Sequence, residues 1–400
     1  MGCLRNDLKF PNHIEYSTRL DCCLRTHGVE MKIQVPDNIA SIIPYPPGKP
    51  LEELEREYGI SGSIKLASNE NPWGPSPMAI QAIRESLVDL HRYPDGSCYR
   101  LTHALADKLG FSADEIVLGN GSNEIIEMLV KAYVQTGDEV ITSHPSFLMY
   151  QKIVQVRSGV NIVIPLSRMQ HDLTAILAAI TEKTRLIFLD NPNNPTGNPI
   201  KPVNLYNFLS MVPESVLVVL DEAYVDFMDP ELQVDIFSLV RNTRGRCGVV
   251  ALRTFSKAYG LAGLRVGYGV MASEVALNLH RVRQPFNVNQ LAQVGALAAL
   301  LDEEFYQQTL RRTREGLNFL QREVEKLGCK SYPSQTNFFL VDVQGDATAL
   351  YEAMLYKGVI IRSMKPYGYG EMVRITVGTA EENIRLVSAL AACLQELSYV

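Results

Sequence analysis

The sequence has no apolar run long enough to cross a bilayer: its longest uncharged stretches, such as Ala292–Leu301, stop well short of the roughly 18 residues a transmembrane helix needs. It also lacks an excess of positive charge. With 38 Lys and Arg against 44 Asp and Glu, a formal charge of −6, nothing electrostatic favours nucleic acid or an anionic membrane as a partner. Cysteine is sparse and scattered. Cys3, Cys22, Cys23, Cys98, Cys247, Cys329 and Cys393 form no C-x-x-C pair and have no histidine at metal-ligand spacing, so they read as free thiols in a reducing compartment. The first 30 residues interleave Arg5, Asp7, Lys9, Glu15, Arg19 and Asp21 without an apolar centre, which is no secretory signal. They read as a poorly ordered extension ahead of Met31, on a cytoplasmic chain. Repeats and low-complexity tracts are missing too, which removes solenoids and linker-rich scaffolds.

What remains is a 400-residue chain, 46% hydrophobic and 20% charged, long enough at about 150 residues per domain for two or three lobes. Its middle alternates short apolar runs with helix-length amphipathic segments: Ile116–Leu118, Glu139–Thr142, Val160–Ile164, Leu186–Leu189, Val216–Leu220, Val249–Leu252 and Val266–Val270. Runs apolar on both faces predict α/β architecture, a mostly parallel sheet covered on two sides. After Gly121, residues Ile125, Met128, Leu129, Ala132 and Tyr133 fall on one helical face. From about Phe286 the character changes to a charged helical stretch, Glu303–Lys326, followed by strand-like Asn337–Asp342, Val359–Ile361 and Val373–Val377. The expected division is a large domain over 61–285 and a small α+β domain over 286–400, with residues 31–60 packing on the small one and a site in the cleft between the two.

Ligands of open parallel sheets sit beyond the carboxyl ends of the strands, and three of those ends are rich in chemistry. Leu186–Leu189 runs into Asp190-Asn191-Pro192-Asn193-Asn194-Pro195-Thr196-Gly197; Val216–Leu220 runs into Asp221-Glu222-Ala223-Tyr224; Val249–Leu252 runs into Arg253-Thr254-Phe255-Ser256-Lys257, with Gly260, Gly263 and Arg265 beyond. Singly these read as a turn, a helix cap and a solvated lysine. Together, Asn194, Asp221, Tyr224, Lys257 and Arg265 bring an amide, a carboxylate, a phenol, an amine and a guanidinium to one sheet edge. That set meets the needs of pyridoxal 5′-phosphate. An amine bonds its aldehyde, a carboxylate keeps its pyridine nitrogen protonated, and a phenol and an amide hydrogen-bond its ring oxygen. Its phosphate needs a helix N-terminus, a hydroxyl and an arginine, which Gly121-Ser122-Asn123-Glu124, Ser256 and Arg265 supply.

On these residues the chain resembles the fold type I aminotransferases, Ser256-Lys257 with Arg265 eight residues on being similar to their cofactor-lysine segment. Within the class II pyridoxal-phosphate-dependent group it is similar, over residues 31–400, to the histidinol-phosphate aminotransferase family. The narrower likeness is carried by Pro44-Tyr45, Ser68-Asn69-Glu70-Asn71-Pro72, Arg92-Tyr93-Pro94-Asp95, Gly121-Ser122-Asn123-Glu124, Thr254-Phe255-Ser256-Lys257-Ala258 and Val373-Arg374-Ile375-Thr376-Val377-Gly378. The resemblance implies a large domain built on a seven-stranded, mostly parallel sheet, a smaller α+β domain and a homodimer. It implies catalytic roles for Lys257, Asp221 and Tyr224, with Asn194 also on the ring oxygen and Ser122, Asn123, Ser256 and Arg265 on the phosphate. Phe147 would stack on the ring or be a core phenylalanine, and Tyr93 would cross to the neighbouring subunit's phosphate. Arg374, with Arg362 second, would clamp the substrate anion, and Tyr45 and Asn71 would line the same pocket or serve structure alone. The implied reaction is transamination of histidinol phosphate with 2-oxoglutarate in histidine biosynthesis. An aromatic amino-acid aminotransferase and a threonine-phosphate decarboxylase share the framework, and a non-enzymatic regulator is disfavoured by the intact Lys257 and Asp221.

Overall fold

A computed structural model describes residues 34–44, 49–241 and 247–399, so the expected extension over 1–30 and the candidate Tyr45 lie outside the described residues. Residues 34–41 carry one short helix, Asp37–Ala40, in a unit of their own; all that follows belongs to the unit beginning at Ile42.

A two-residue strand, β1 (Ile64–Lys65), precedes the main sheet. The seven predicted runs become β2 (Ile116–Gly119), β3 (Glu139–His144), β4 (Val160–Pro165), β5 (Thr184–Asp190), β6 (Leu217–Asp221), β7 (Gly248–Thr254) and β8 (Gly267–Val270). They form one sheet in the order β2-β8-β7-β6-β5-β3-β4, in which β8 alone runs antiparallel to its neighbours. Burial explains why the runs read as continuous rather than alternating. In β5, Leu186 and Phe188 enter the apolar cluster on one face while Ile187 and Leu189 enter the cluster on the other. Each such side chain removed from water contributes about 1.5–3 kcal/mol, and the helices on both faces supply the partners.

Beyond the sheet, β9 (Lys330–Ser331), β10 (Phe338–Asp342), β11 (Val359–Ile360), β12 (Arg362–Ser363) and β13 (Met372–Thr376) follow the 24-residue helix Glu303–Lys326. Four of them make an antiparallel sheet, β12-β13-β10-β9, over a separate apolar cluster that includes Leu317, Leu320, Phe339, Val341, Leu386 and Leu390. The fifth, β11, leaves that sheet and pairs in parallel with β1. Leu54, from the helix Leu51–Tyr58, is sealed beside it against Ala67, Leu355 and Ile360.

Candidate active site

In the parallel part of the sheet, register brings the strand ends level: Asp190 lies opposite Asp221, and Asp221 opposite Leu252. A cavity of about 350 Å³ opens at this edge. Asn194, Asp221, Tyr224, Ser256, Lys257 and Arg265 line it, joined by Ser122, Asn123 and Phe147 from the next two loops towards the sheet margins. The lining comes from residues 68–265, so the cavity belongs to the edge of the seven-stranded sheet, and the four-stranded sheet reaches its Asn194 through Arg374.

Lys257 follows β7 within a turn whose chain must double back. Gly260 there has φ +68°, and a Cβ on it would come 2.2 Å from the Gly74 carbonyl oxygen, so only glycine fits. The Lys257 amine lies 3.4 Å from the Ser68 carbonyl oxygen and 5.5 Å from the centre of the Tyr224 ring. Burial, helped by the nearby Arg374 and Arg265 charges, lowers its pKa to about 8. Asp221 shows the opposite shift: burial and the neighbouring Asp190 raise it to about 6.

The two buried carboxylates are served differently. The Asp190 carboxylate accepts from Asn193 Nδ2 at 3.0 Å and the Asn194 backbone N–H at 2.8 Å, with His171 Nε2 3.1 Å from Oδ1 and hydrogen-bonded to the Asp190 backbone carbonyl. Asp221 takes the Tyr150 hydroxyl at 2.7 Å and the Ala223 N–H at 3.1 Å, and faces the cavity with no ion pair among the described residues. A buried carboxylate so placed favours a protonated nitrogen in the cavity in front of it.

The other end of the cavity is an anion cradle. The helix Ser122–Tyr133 starts there, with its unpaired N–H groups and positive dipole end directed at the space. Arg265, itself left-handed at φ +58°, sends Nη1 to Ser256 Oγ at 3.3 Å and lies so close to Gly121 that a Cβ there would fall 2.5 Å from Nη2. Asn123 Oδ1 is buried there with no hydrogen-bond partner.

Arg374 is 7% exposed, donates to Asn194 Oδ1 at 2.6 Å and to the Ala67 carbonyl at 2.9 Å, and lies over the Phe338 ring. Arg362 sits directly opposite it in the β12–β13 pair, which puts both side chains on one face. Arg374, Arg362, Asn71 and Tyr93 are not among the residues that line the cavity. Asn71 spends its amide on the Ala258 carbonyl and the Trp73 N–H, bracing the loop after Lys257. Tyr93 is 82% exposed and stacks on Phe286.

Sequence reasoning missed three residues that touch these groups: Tyr150, Asp190 and Asn69. Tyr150 carried a signal, since it follows Phe147 by one helical turn and the two rings meet edge to face. Asn69 carried only its place in the Ser68–Pro72 motif; it donates to the Tyr224 hydroxyl across 155 positions of sequence.

Residues 61–390 match the family described as aminotransferase class I and II. The chain belongs to that family. It is 64% identical to the histidinol-phosphate aminotransferase of Desulfotalea psychrophila, covering 93% of this chain and 98% of that one. It is 48% identical to the enzyme of the same name from Moorella thermoacetica, over 89% and 92% of the two chains. The structure resembles that of histidinol-phosphate aminotransferase from Sinorhizobium meliloti in complex with pyridoxal-5′-phosphate, with a TM-score of 0.83, 29% identity and coverage of 91% and 98%. The fold is that of a fold type I aminotransferase, as the sequence motifs implied.

Proposed function

We propose that the enzyme transfers an amino group between L-histidinol phosphate and 2-oxoglutarate, giving imidazole-acetol phosphate and L-glutamate, with pyridoxal 5′-phosphate as cofactor. The observation that carries the chemistry is the placing of a buried amine, a buried carboxylate and an anion cradle around one cavity. The 64% identity to a histidinol-phosphate aminotransferase over nearly the whole chain carries the choice of substrate.

The residues fit the cofactor. Lys257 would hold its aldehyde carbon, Asp221 its pyridine nitrogen, Tyr224 and Asn194 its ring oxygen, and Phe147 one ring face. Ser122, Asn123, Ser256 and Arg265 would hold its phosphate, which gives the orphaned Asn123 Oδ1 a polar setting. Bound there, pyridoxal phosphate supplies an electrophilic carbon for the substrate amine and a ring that takes up the electrons released at the substrate's α-carbon. The protein supplies the proton chemistry. With a pKa of about 8, roughly a tenth of the Lys257 amine is neutral at pH 7, about 300 times the fraction of an unperturbed lysine, so it can act as nucleophile and as base. We assign it the proton of the substrate α-carbon. Asp221 holds a proton on the ring nitrogen, and Tyr150 fixes the carboxylate that does so.

Arg374, with Arg362 opposite, takes the phosphate of histidinol phosphate and the carboxylates of the second substrate in turn. A homodimer is part of this reading, with Tyr93 reaching the partner's cofactor phosphate. Its support is an exposed apolar surface that includes Val88 at 78% and Tyr93 at 82% exposure. The separate clusters about the two sheets support a large and a small domain, but Val288, Ala292, Ala296, Ala299 and Leu300 pack in the cluster of the seven-stranded sheet, so the division is drawn after Leu301 rather than at 285/286. The four described cysteines, none in a disulfide, suit a cytoplasmic enzyme.

The test is an amine-donor screen of histidinol phosphate, phenylalanine, tyrosine and threonine phosphate, with CO₂ followed in parallel. Histidinol phosphate should give the highest kcat/KM. Faster turnover of phenylalanine or tyrosine would replace the reading with an aromatic aminotransferase, and CO₂ from threonine phosphate would replace it with a decarboxylase.

A further inference from the structure

We propose that Asn69 is the residue that aims the Tyr224 hydroxyl, donating its amide N–H to the phenol oxygen so that the phenol hydrogen is left to be donated into the cavity.

With the two amides oriented as the structure has them, the hydrogen bonds around the phenol leave one place for its hydrogen. Tyr224 Oη is 2.8 Å from Asn69 Nδ2 and 3.5 Å from Asn194 Nδ2. A donor-only partner on its oxygen holds the Asn194 amide with its nitrogen towards the phenol, and the Asn69 amide takes the same sense with the Thr376 hydroxyl on its oxygen. Asn194 Oδ1 accepts from Arg374 Nη1 at 2.6 Å, and a guanidinium can only donate. Asn69 Oδ1 accepts from Thr376 Oγ1 at 3.1 Å, while that hydroxyl oxygen accepts the Asn69 backbone N–H at 3.0 Å. The phenol oxygen therefore meets donors from both amides, and its own hydrogen must go elsewhere; Tyr224 lines the cavity, which is where an acceptor can stand. Arg374 and Thr376 are alternate residues of β13 and project to one face, so a single strand orients both amides.

The residue type follows from the backbone. Asn69 is 2% exposed and sits at φ +55°, in the left-handed region that asparagine tolerates better than most residues other than glycine. Its carbonyl accepts from Asn337 Nδ2 at 3.1 Å, which pins the loop. The charged or titratable groups around the phenol are Arg374, Asp221, Tyr367 and Lys257, all kept in the variants below. Asn69 acts through Tyr224 and is a positioning residue.

The inference rests on the cofactor reading above, and its test separates the two. The measurement is the pH titration of the visible absorbance of holoenzyme loaded with pyridoxal phosphate, without substrate. Removing a donor to the ring oxygen leaves more negative charge beside the titrating proton, so the midpoint should move up, by about one pH unit for Tyr224→Phe. Asn69→Asp keeps the size and the left-handed preference but puts an acceptor against the phenol, which then donates away from the cavity. It should shift the midpoint in the same direction, and adding it to Tyr224→Phe should shift it no further. Asn69→Gly, which suits the backbone and removes the amide without burying a charge, should also move the midpoint up in the wild-type background and add nothing to Tyr224→Phe. Wild-type midpoints in both Asn69 variants, or shifts that add fully to that of Tyr224→Phe, would overturn the role of Asn69 while the cofactor reading stood. A wild-type enzyme that develops no visible band would overturn both.

Discussion

Replacing Asp221 by Asn should make the cofactor-free enzyme more stable and the loaded enzyme far slower. Burial raises the Asp221 carboxyl from 3.8 to about 6, so ionising it in the folded state costs more than in the unfolded chain. The sign follows from proton binding. Between pH 3.8 and 6 the folded state binds more protons than the unfolded one, so wild-type stability falls as pH rises through this window and the full cost is present above pH 6. With those two pKa values the cost is about 3 kcal/mol at pH 7 and about half that at pH 5. Asparagine carries no charge and keeps an acceptor for the Ala223 N–H, which bonds Oδ1, but puts an NH2 where Oδ2 takes the Tyr150 hydroxyl, so it recovers that cost less about 1 kcal/mol for the lost hydrogen bond. Urea denaturation of the cofactor-free proteins at equal concentration should show Asp221→Asn ahead by about 1–2 kcal/mol at pH 7, with the lead nearly gone at pH 5. Turnover should move the other way. A neutral amide cannot hold the proton on the ring nitrogen, and losing a positioned acid–base partner costs on the order of 100- to 10,000-fold. A variant that loses stability at pH 7 and keeps near wild-type kcat would refute the reasoning and make Asp221 an element of the fold alone.

Lys257→Ala should abolish the visible absorbance of the loaded enzyme, and borohydride reduction with peptide mapping should label Lys257; a label on Lys131 or Lys152 would overturn the assignment. Cofactor capture should quicken with pH and level off above about 8, where burial places the Lys257 amine's pKa; a rise continuing to pH 10 would mean an unperturbed lysine. Arg374→Ala should damage both half-reactions, each by about 2–5 kcal/mol, or about 30-fold to several-thousand-fold in kcat/KM. Loss confined to one half-reaction would show that the two substrates use different anion sites. Sedimentation should show a dimer at assay concentration, and Tyr93→Phe should leave the dimer intact while speeding cofactor loss on dilution; a fully active monomer would end the shared-site reading.

The sequence by itself determined the strands and their chemistry-bearing ends. β5 and β6 are buried on both faces, so their runs are continuously apolar, and polarity can return only where the strand leaves the sheet, at Asp190-Asn191 and Asp221-Glu222. For the same reason Asn194, Asp221 and Lys257 stood out before any geometry was known. Tertiary structure decided what those residues touch. Register alone sets Asp190 beside Asp221, and only the folded chain sets Asn193 and Asn194 on one carboxylate and Tyr150 and Ala223 on the other, with both lining the cavity. Tyr150 reaches Asp221 across 71 positions and Asn69 reaches Tyr224 across 155, separations at which no local pattern survives. Nor does any sequence rule show that the Asn71 amide bonds the Ala258 carbonyl and the Trp73 N–H, which the fold decides. Local patterning records how a residue meets its own strand or helix, whereas the pairing of polar groups is fixed when distant segments are driven together by apolar burial and each buried donor must find an acceptor.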